Sequence, residues 1–188
     1  MVEARRRRSA EEAQSIILEV AAKRLAEMGL EGLNIKGVAE EAGISHATLI
    51  HHFGSSGGMR EALVQKMTLD LVEDLIEAFE SKVPEEEMAS NVFRALSAGG
   101  HAKLIAWQAV EGPRDEPNEH VVVGFARLIA SMQKNMSIGD DSDASRVVML
   151  VGLAAVGFGL AGPVLAQMLG LNEEDLKDFP AWMINHIN

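Results

Sequence analysis

The chain has 188 residues, with no cysteine, no tyrosine, two tryptophans and 4% aromatic residues in all. Without cysteine there are no disulfides and no thiolate ligands. Nothing argues for an oxidising compartment, and a cytoplasmic location is the expectation. The cluster Arg5, Arg6, Arg7 and Arg8 is followed by "SAEEAQ" rather than an apolar run, so it does not read as a secretory signal. No Ser/His/Asp set, glycine-rich phosphate loop or H-E-x-x-H pattern occurs. The chain is therefore not read as an enzyme, and neither a cofactor nor a metal is expected. Alternating strand patterns of useful length, internal repeats and low-complexity tracts are also missing.

What is present is apolar and helix-forming. Hydrophobic residues make up 47% of the chain, enough for a real core, and Ala, Leu, Met, Glu and Gly dominate. The expected fold class is all-α. The net charge of −11 is uneven: residues 1–60 hold eight basic and eight acidic side chains, and the remaining residues carry the whole deficit. A chain that repels nucleic acid overall can still bind it through its neutral part, helped by the four arginines. The same run also fits a solvated tail.

Ser9 with Glu12 reads as a capping box opening a helix over about 9–28, with Ile17, Val20, Ala21, Leu25 and Met28 at helical spacing and Gly29 as its stop. "LEGLN" reads as a connector. Asn34 caps a short helix to about Ala42, with Ile35, Val38, Ala39 and Ala42 inward. Gly43 supplies a turn with positive φ, Ser45 caps a helix over about 45–52, and "GSSGG" reads as a loop. Leu63, Met67, Leu71, Leu75 and Phe79 then recur every four residues, predicting a long helix over 59–82. Further helices are expected at 85–97, 101–110, 118–135, 142–169 and 173–187.

"VVMLVGLAAVGFGLAGPVLAQMLGL", Val147 to Leu171, is uncharged over its whole length and passes as a membrane span on length alone. Its glycines, its proline, its glutamine and its acidic flanks argue against that. A helix fully buried in a core or between two subunits is the preferred reading. A membrane-associated or purely structural role, resting on this segment, is the alternative.

Within "IKGVAEEAGISHATLIHHFG", Ile35 to Gly54, two short helices joined by a glycine turn form a helix-turn-helix, whose second helix enters the major groove by its N-terminal residues. Val38, Ala42, Ile44 and Leu49 point inward. His51 and His52 are adjacent and diverge by about 100° on a helix, and His46 is five residues from His51, so a shared metal is disfavoured. His51 reads as facing a phosphate and His52 as packing at the domain edge.

Residues 9–67 resemble the DNA-binding domain of TetR-family transcriptional regulators, through "RLAEMG", Asn34 and "VAEEAGISHATLIHHF". The resemblance implies a boundary scheme of a basic arm over 1–8, a DNA-binding domain over 9–55 and an effector-binding and dimerisation domain over 56–188. It implies a homodimer on a palindromic double-stranded DNA operator, acting as a ligand-released repressor. Ser45, Thr48 and His51 would contact phosphates, His46 and Ala47 would lie near base edges, and Phe53 would close the domain core. Two positions depart from the family pattern: Ile50 replaces the usual aromatic and Ser56 the usual lysine, removing two phosphate contacts. Arg5 to Arg8 would restore part of the loss, and Gly57 and Gly58 would loosen the start of the next helix.

The resemblance also implies a small-molecule pocket in the second half, for a largely apolar effector. Its candidate lining is Met88, Phe93, Leu96, Trp107, Phe125, Met132 and Phe158, with His101 as a polar handle, although most of these fit an ordinary core equally well. The last two helices would pair with their copies. Val151, Ala155, Phe158, Gly159 and Gly162 would form that seam, small residues letting the helices approach.

Overall fold

The computed structural model describes residues 10–98, 100–111, 118–135 and 141–187. Among these are nine α-helices and no strand: α1 (Ala10–Met28), α2 (Ile35–Glu41), α3 (His46–Phe53), α4 (Ser56–Glu80), α5 (Glu85–Ala98), α6 (His101–Glu111), α7 (Glu119–Asn135), α8 (Asp141–Leu169) and α9 (Glu173–Ile187). Arg5 to Arg8 and the Ser9 half of the capping box lie outside the described residues. The chain divides into two compact units, Met1–Leu63 and Val64–Asn188.

In the first unit, α1 buries Ile17, Leu18, Ala21 and Leu25, while Val20 is half-buried and Met28 exposed. The apolar face is thus narrower than its spacing predicts. Gly29 ends α1 with φ at +65°. "LEGLN" is more than a connector: Gly29–Leu33 forms a 3₁₀ turn whose Leu33 is fully buried. Arg24 ties this turn to α2. Its Nε donates to the Gly32 carbonyl at 2.8 Å, and its Nη1 to the Glu41 carboxylate at 3.1 Å. Asn34 caps α2 as the sequence predicts, its Oδ1 accepting from the Gly37 amide at 2.8 Å.

Of the expected loop at "GSSGG", only Gly54 and Ser55 lie outside a helix; Ser56, Gly57 and Gly58 are the start of α4. Ser55 Oγ accepts from the Gly58 amide at 3.0 Å, a serine cap outweighing the low helix propensity of two glycines. A Cβ on Gly58 would lie 2.1 Å from the Phe53 carbonyl oxygen, whereas one on Gly57 would meet only Ser55 Oγ, at an ordinary 3.5 Å. The pair is therefore not a loose hinge; Gly58 permits a close backbone approach.

α4 buries Leu63, Val64, Val72, Ile76 and Phe79, while Met67, Leu71 and Leu75 are half-buried. Every fourth residue overshoots a helical turn by about 40°, so the strict repeat drifts off the buried face. In the second unit, α5 packs on α8 and α9. Phe93, Phe158 and Phe179 form an aromatic triangle with ring centroids 5.4 to 5.9 Å apart.

α8 is not buried all round. Within one copy its inward stripe is Ala144, Val148, Val151, Ala155, Gly159, Gly162 and Ala166, while Met149, Leu153, Leu160, Val164 and Met168 on the opposite side are exposed. The residues expected at a dimer seam pack inside the chain. Ala155 is fully buried, Phe158 belongs to the aromatic triangle, and Val151 packs on the α5 cluster. A Cβ on Gly159 would meet Ala102 Cβ at 2.9 Å and Ser97 Cα at 3.1 Å, and one on Gly162 would meet the Phe158 ring. The small residues do let helices approach closely, but the helices belong to the same subunit.

Candidate nucleic-acid interface and ligand cavity

α2 and α3 are joined by a turn at Gly43, whose φ is +69°. The Ile44 amide reaches back to the Ala39 carbonyl at 3.0 Å, closing α2 before α3 begins. Val38, Ala39 and Leu49 are buried at the crossing, Ala42 nearly so, and Ile44 is half-buried. Leu49 anchors α3 from beneath with no exposed surface. Ser45, His46, Ala47 and Thr48, at the N-terminal end of α3, are all exposed, as is His51 in its last turn. His52 is half-buried, and its carbonyl accepts from Gln14 Nε2 at 3.2 Å. Phe53, expected in the core, is only half-buried.

Ser45 has extended backbone, and its Oγ accepts from the Thr48 amide at 3.0 Å. The same oxygen lies 2.8 Å from Thr48 Oγ1. This exposed set holds no lysine or arginine. Elsewhere in this unit Lys23 pairs with Glu41 at 2.8 Å and Lys36 with Glu40 at 4.0 Å. Contact with the Lys23 and Arg24 side chains holds the Glu41 carboxyl below its ordinary range. The four arginines near the N-terminus are therefore the concentrated positive charge of this unit, outside the described residues.

The second unit contains a cavity of about 510 Å³ between α4, α5, α6, α7 and α8. Cavities of roughly 300–1,000 Å³ hold small organic molecules. Of the residues expected to line a pocket, Met88, Leu96, His101, Phe125 and Met132 do so; Phe93, Trp107 and Phe158 do not. Phe93 and Phe158 are consumed by the aromatic triangle, and Trp107 is half-buried on α6. Leu71, Leu75, Val92, Leu128 and Val148 complete much of the wall and were not expected there from sequence. Leu71 and Leu75, half-buried on α4, face this space.

His101, the first residue of α6, is 2% exposed. Burial pushes its imidazole pKa down to about 4, against a weaker upward pull from Asp70. The ring is thus neutral at pH 7, with Nε2 lying 3.5 Å from Thr68 Oγ1. Such a length is at the outer edge of hydrogen bonding.

Residues 17–63 match the family described as bacterial regulatory proteins, tetR family. Over 108 residues the chain is 29% identical to the HTH-type transcriptional regulatory protein RaaS of Mycobacterium tuberculosis, covering 51% of this chain and 50% of that protein. Over 93 residues it is 28% identical to the HTH-type transcriptional repressor KstR2 of Rhodococcus jostii, covering 47% and 46% respectively. The chain spans about half the length of the curated relatives it matches.

Proposed function

We infer that this chain, which belongs to the tetR family of bacterial regulatory proteins through residues 17–63, is a DNA-binding transcriptional repressor. It acts in the cytoplasm as a homodimer on a palindromic operator and is released when a small, largely apolar molecule enters the cavity of the second unit. The observation that carries the reading is the exposure of Ser45, His46, Ala47, Thr48 and His51 on a short helix, anchored by Leu49 and set off by the Gly43 turn. A helix presented in this way fits a major groove by its N-terminal residues.

In this reading Ser45, Thr48 and His51 contact phosphates and fix register, while His46 and Ala47 meet base edges. Arg5 to Arg8 supply the phosphate-neutralising charge that these residues lack. The exposed apolar stripe of α8 supports the dimer, since five large apolar residues on one face need cover. Leu96, His101, Phe125 and Met132 are the effector contacts.

The test is a gel-shift series on DNA from upstream of the protein's own gene. Replacing Thr48 and His51 together by Ala is expected to weaken binding to all sequences alike, and His46→Ala to change sequence preference more than total affinity. A double variant that retards operator DNA as well as wild type overturns the assignment of α3.

A second reading is favoured by one feature of α8. Asp143–Leu169 is long and apolar enough to cross a membrane by length and composition. Recovery of the chain only in a detergent-extracted fraction would support it; a soluble dimer purified without detergent would exclude it.

A further inference from the structure

We propose that the cavity of the second unit takes an uncharged, largely apolar molecule, held by one hydroxyl or carbonyl oxygen that bridges His101 Nε2 and Thr68 Oγ1 from one side. This deepens the effector reading above and rests on it only for what binding achieves.

Among the described lining residues the polar side chains are Thr68, Glu85 and His101, and none is lysine or arginine. The one charged side chain in the described wall is the Glu85 carboxylate; Asp70, whose charge is felt at His101, is itself paired with Lys66 at 2.7 Å. An anionic ligand would lose its hydration there and find no lysine or arginine in the described wall to receive its charge. A cationic ligand fares little better. Glu85 is exposed at the start of α5 beside Glu86 and Glu87, so no acid is buried deep in the cavity to receive a cation. The remaining wall is aliphatic or aromatic, which leaves an uncharged molecule.

Polarity is concentrated at one place. His101 and Thr68 face each other at 3.5 Å, too far apart to satisfy each other well. An oxygen set to one side of the pair, off the line that joins them, can approach both at normal length. A neutral imidazole is either donor or acceptor at Nε2 according to its tautomer, and a threonine hydroxyl is both. A hydroxyl and a carbonyl oxygen are therefore both suited to the gap.

The test uses the full chain without DNA and calorimetric titration with four probes of equal chain length: decanol, decan-2-one, decanoate and decylamine. The alcohol and the ketone are expected to bind at least tenfold more tightly than the two ions. His101→Leu should weaken alcohol binding roughly tenfold, while leaving helical content intact. Thr68→Val, which keeps side-chain shape, should weaken it by a smaller factor. His101→Gln, whose amide reaches the place of Nε2, should restore most of the affinity. Val148→Trp, which fills the cavity, should abolish binding and so separate cavity occupancy from adsorption on the exposed face of α8.

Decanoate or decylamine binding as tightly as decanol would overturn the proposal. So would an alcohol affinity unchanged by both His101→Leu and Thr68→Val, binding that survives Val148→Trp, or no binding by any probe. A chain that binds decanol but no DNA keeps this proposal and sinks the regulator reading. A chain that binds operator DNA but prefers decanoate does the reverse.

Discussion

Ser45 Oγ accepts a hydrogen bond from the Thr48 amide at 3.0 Å and lies 2.8 Å from the Thr48 hydroxyl. One oxygen thus starts α3 and fixes the side chain of a proposed phosphate contact. Replacing Ser45 with Ala should destabilise the fold by about 1 kcal/mol in chemical denaturation. Ser45→Asp should keep the cap, and with it the stability, while placing a negative charge on the proposed DNA face. The expected result is wild-type unfolding with lost DNA retention. An aspartate variant that binds DNA normally would remove Ser45 from the interface.

The two glycines at the start of α4 should respond in opposite ways. Gly57→Ala meets only Ser55 Oγ at 3.5 Å and should stabilise the chain by up to about 1 kcal/mol, because alanine is the better helix former. Gly58→Ala drives a Cβ to 2.1 Å from the Phe53 carbonyl oxygen and should destabilise by roughly 1–3 kcal/mol. Equal effects in the two denaturation midpoints would contradict the close approach at Gly58.

His101 should make stability pH-dependent. Its folded pKa of about 4 lies below the ordinary 6.5. Above pH 6.5 the ring is neutral in both states and adds no slope. As pH falls from 6.5 toward about 4, the unfolded chain takes up a proton that the folded chain refuses. Stability should therefore fall over that window, by up to roughly 1.4 kcal/mol per pH unit. Carboxylates titrate there too, so the measured quantity is the difference between wild type and His101→Gln. A difference that does not vary between pH 6.5 and 4 would mean the ring is not buried as a neutral group.

The two faces of α8 should separate association from folding. Leu160→Glu with Val164→Glu lies on the exposed stripe and outside the cavity wall, and should yield a folded monomer. Gly159→Leu would drive a side chain into Ala102 and Ser97 and should destabilise the subunit itself. Light scattering for mass and circular dichroism for helix content distinguish the two outcomes. Wild type that is monomeric at micromolar concentration would sink the dimer.

Much of the first unit was legible in the sequence because its signals are local. A serine or asparagine cap and a glycine in the left-handed region act within a few residues, and Asn34, Gly43 and Ser45 do what their types require. Ser55 gives the same kind of signal and was outvoted by the glycines beside it.

The second unit followed a different rule. Its helices were readable, but what they face was not. α8 is apolar on every side, so its composition could not say which face packs inward, and alanine and glycine suit a crossing within a subunit as well as one between subunits. Only the tertiary structure decided that Ala155 and Gly159 meet α5 and α6, leaving Leu153, Leu160 and Val164 outside. In the same way, sequence marked Phe93, Phe125 and His101 as candidates alike. Packing alone made Phe93 part of an aromatic triangle and gave Phe125 and His101 to a cavity wall, because a void is a property of several helices together and of no residue taken singly.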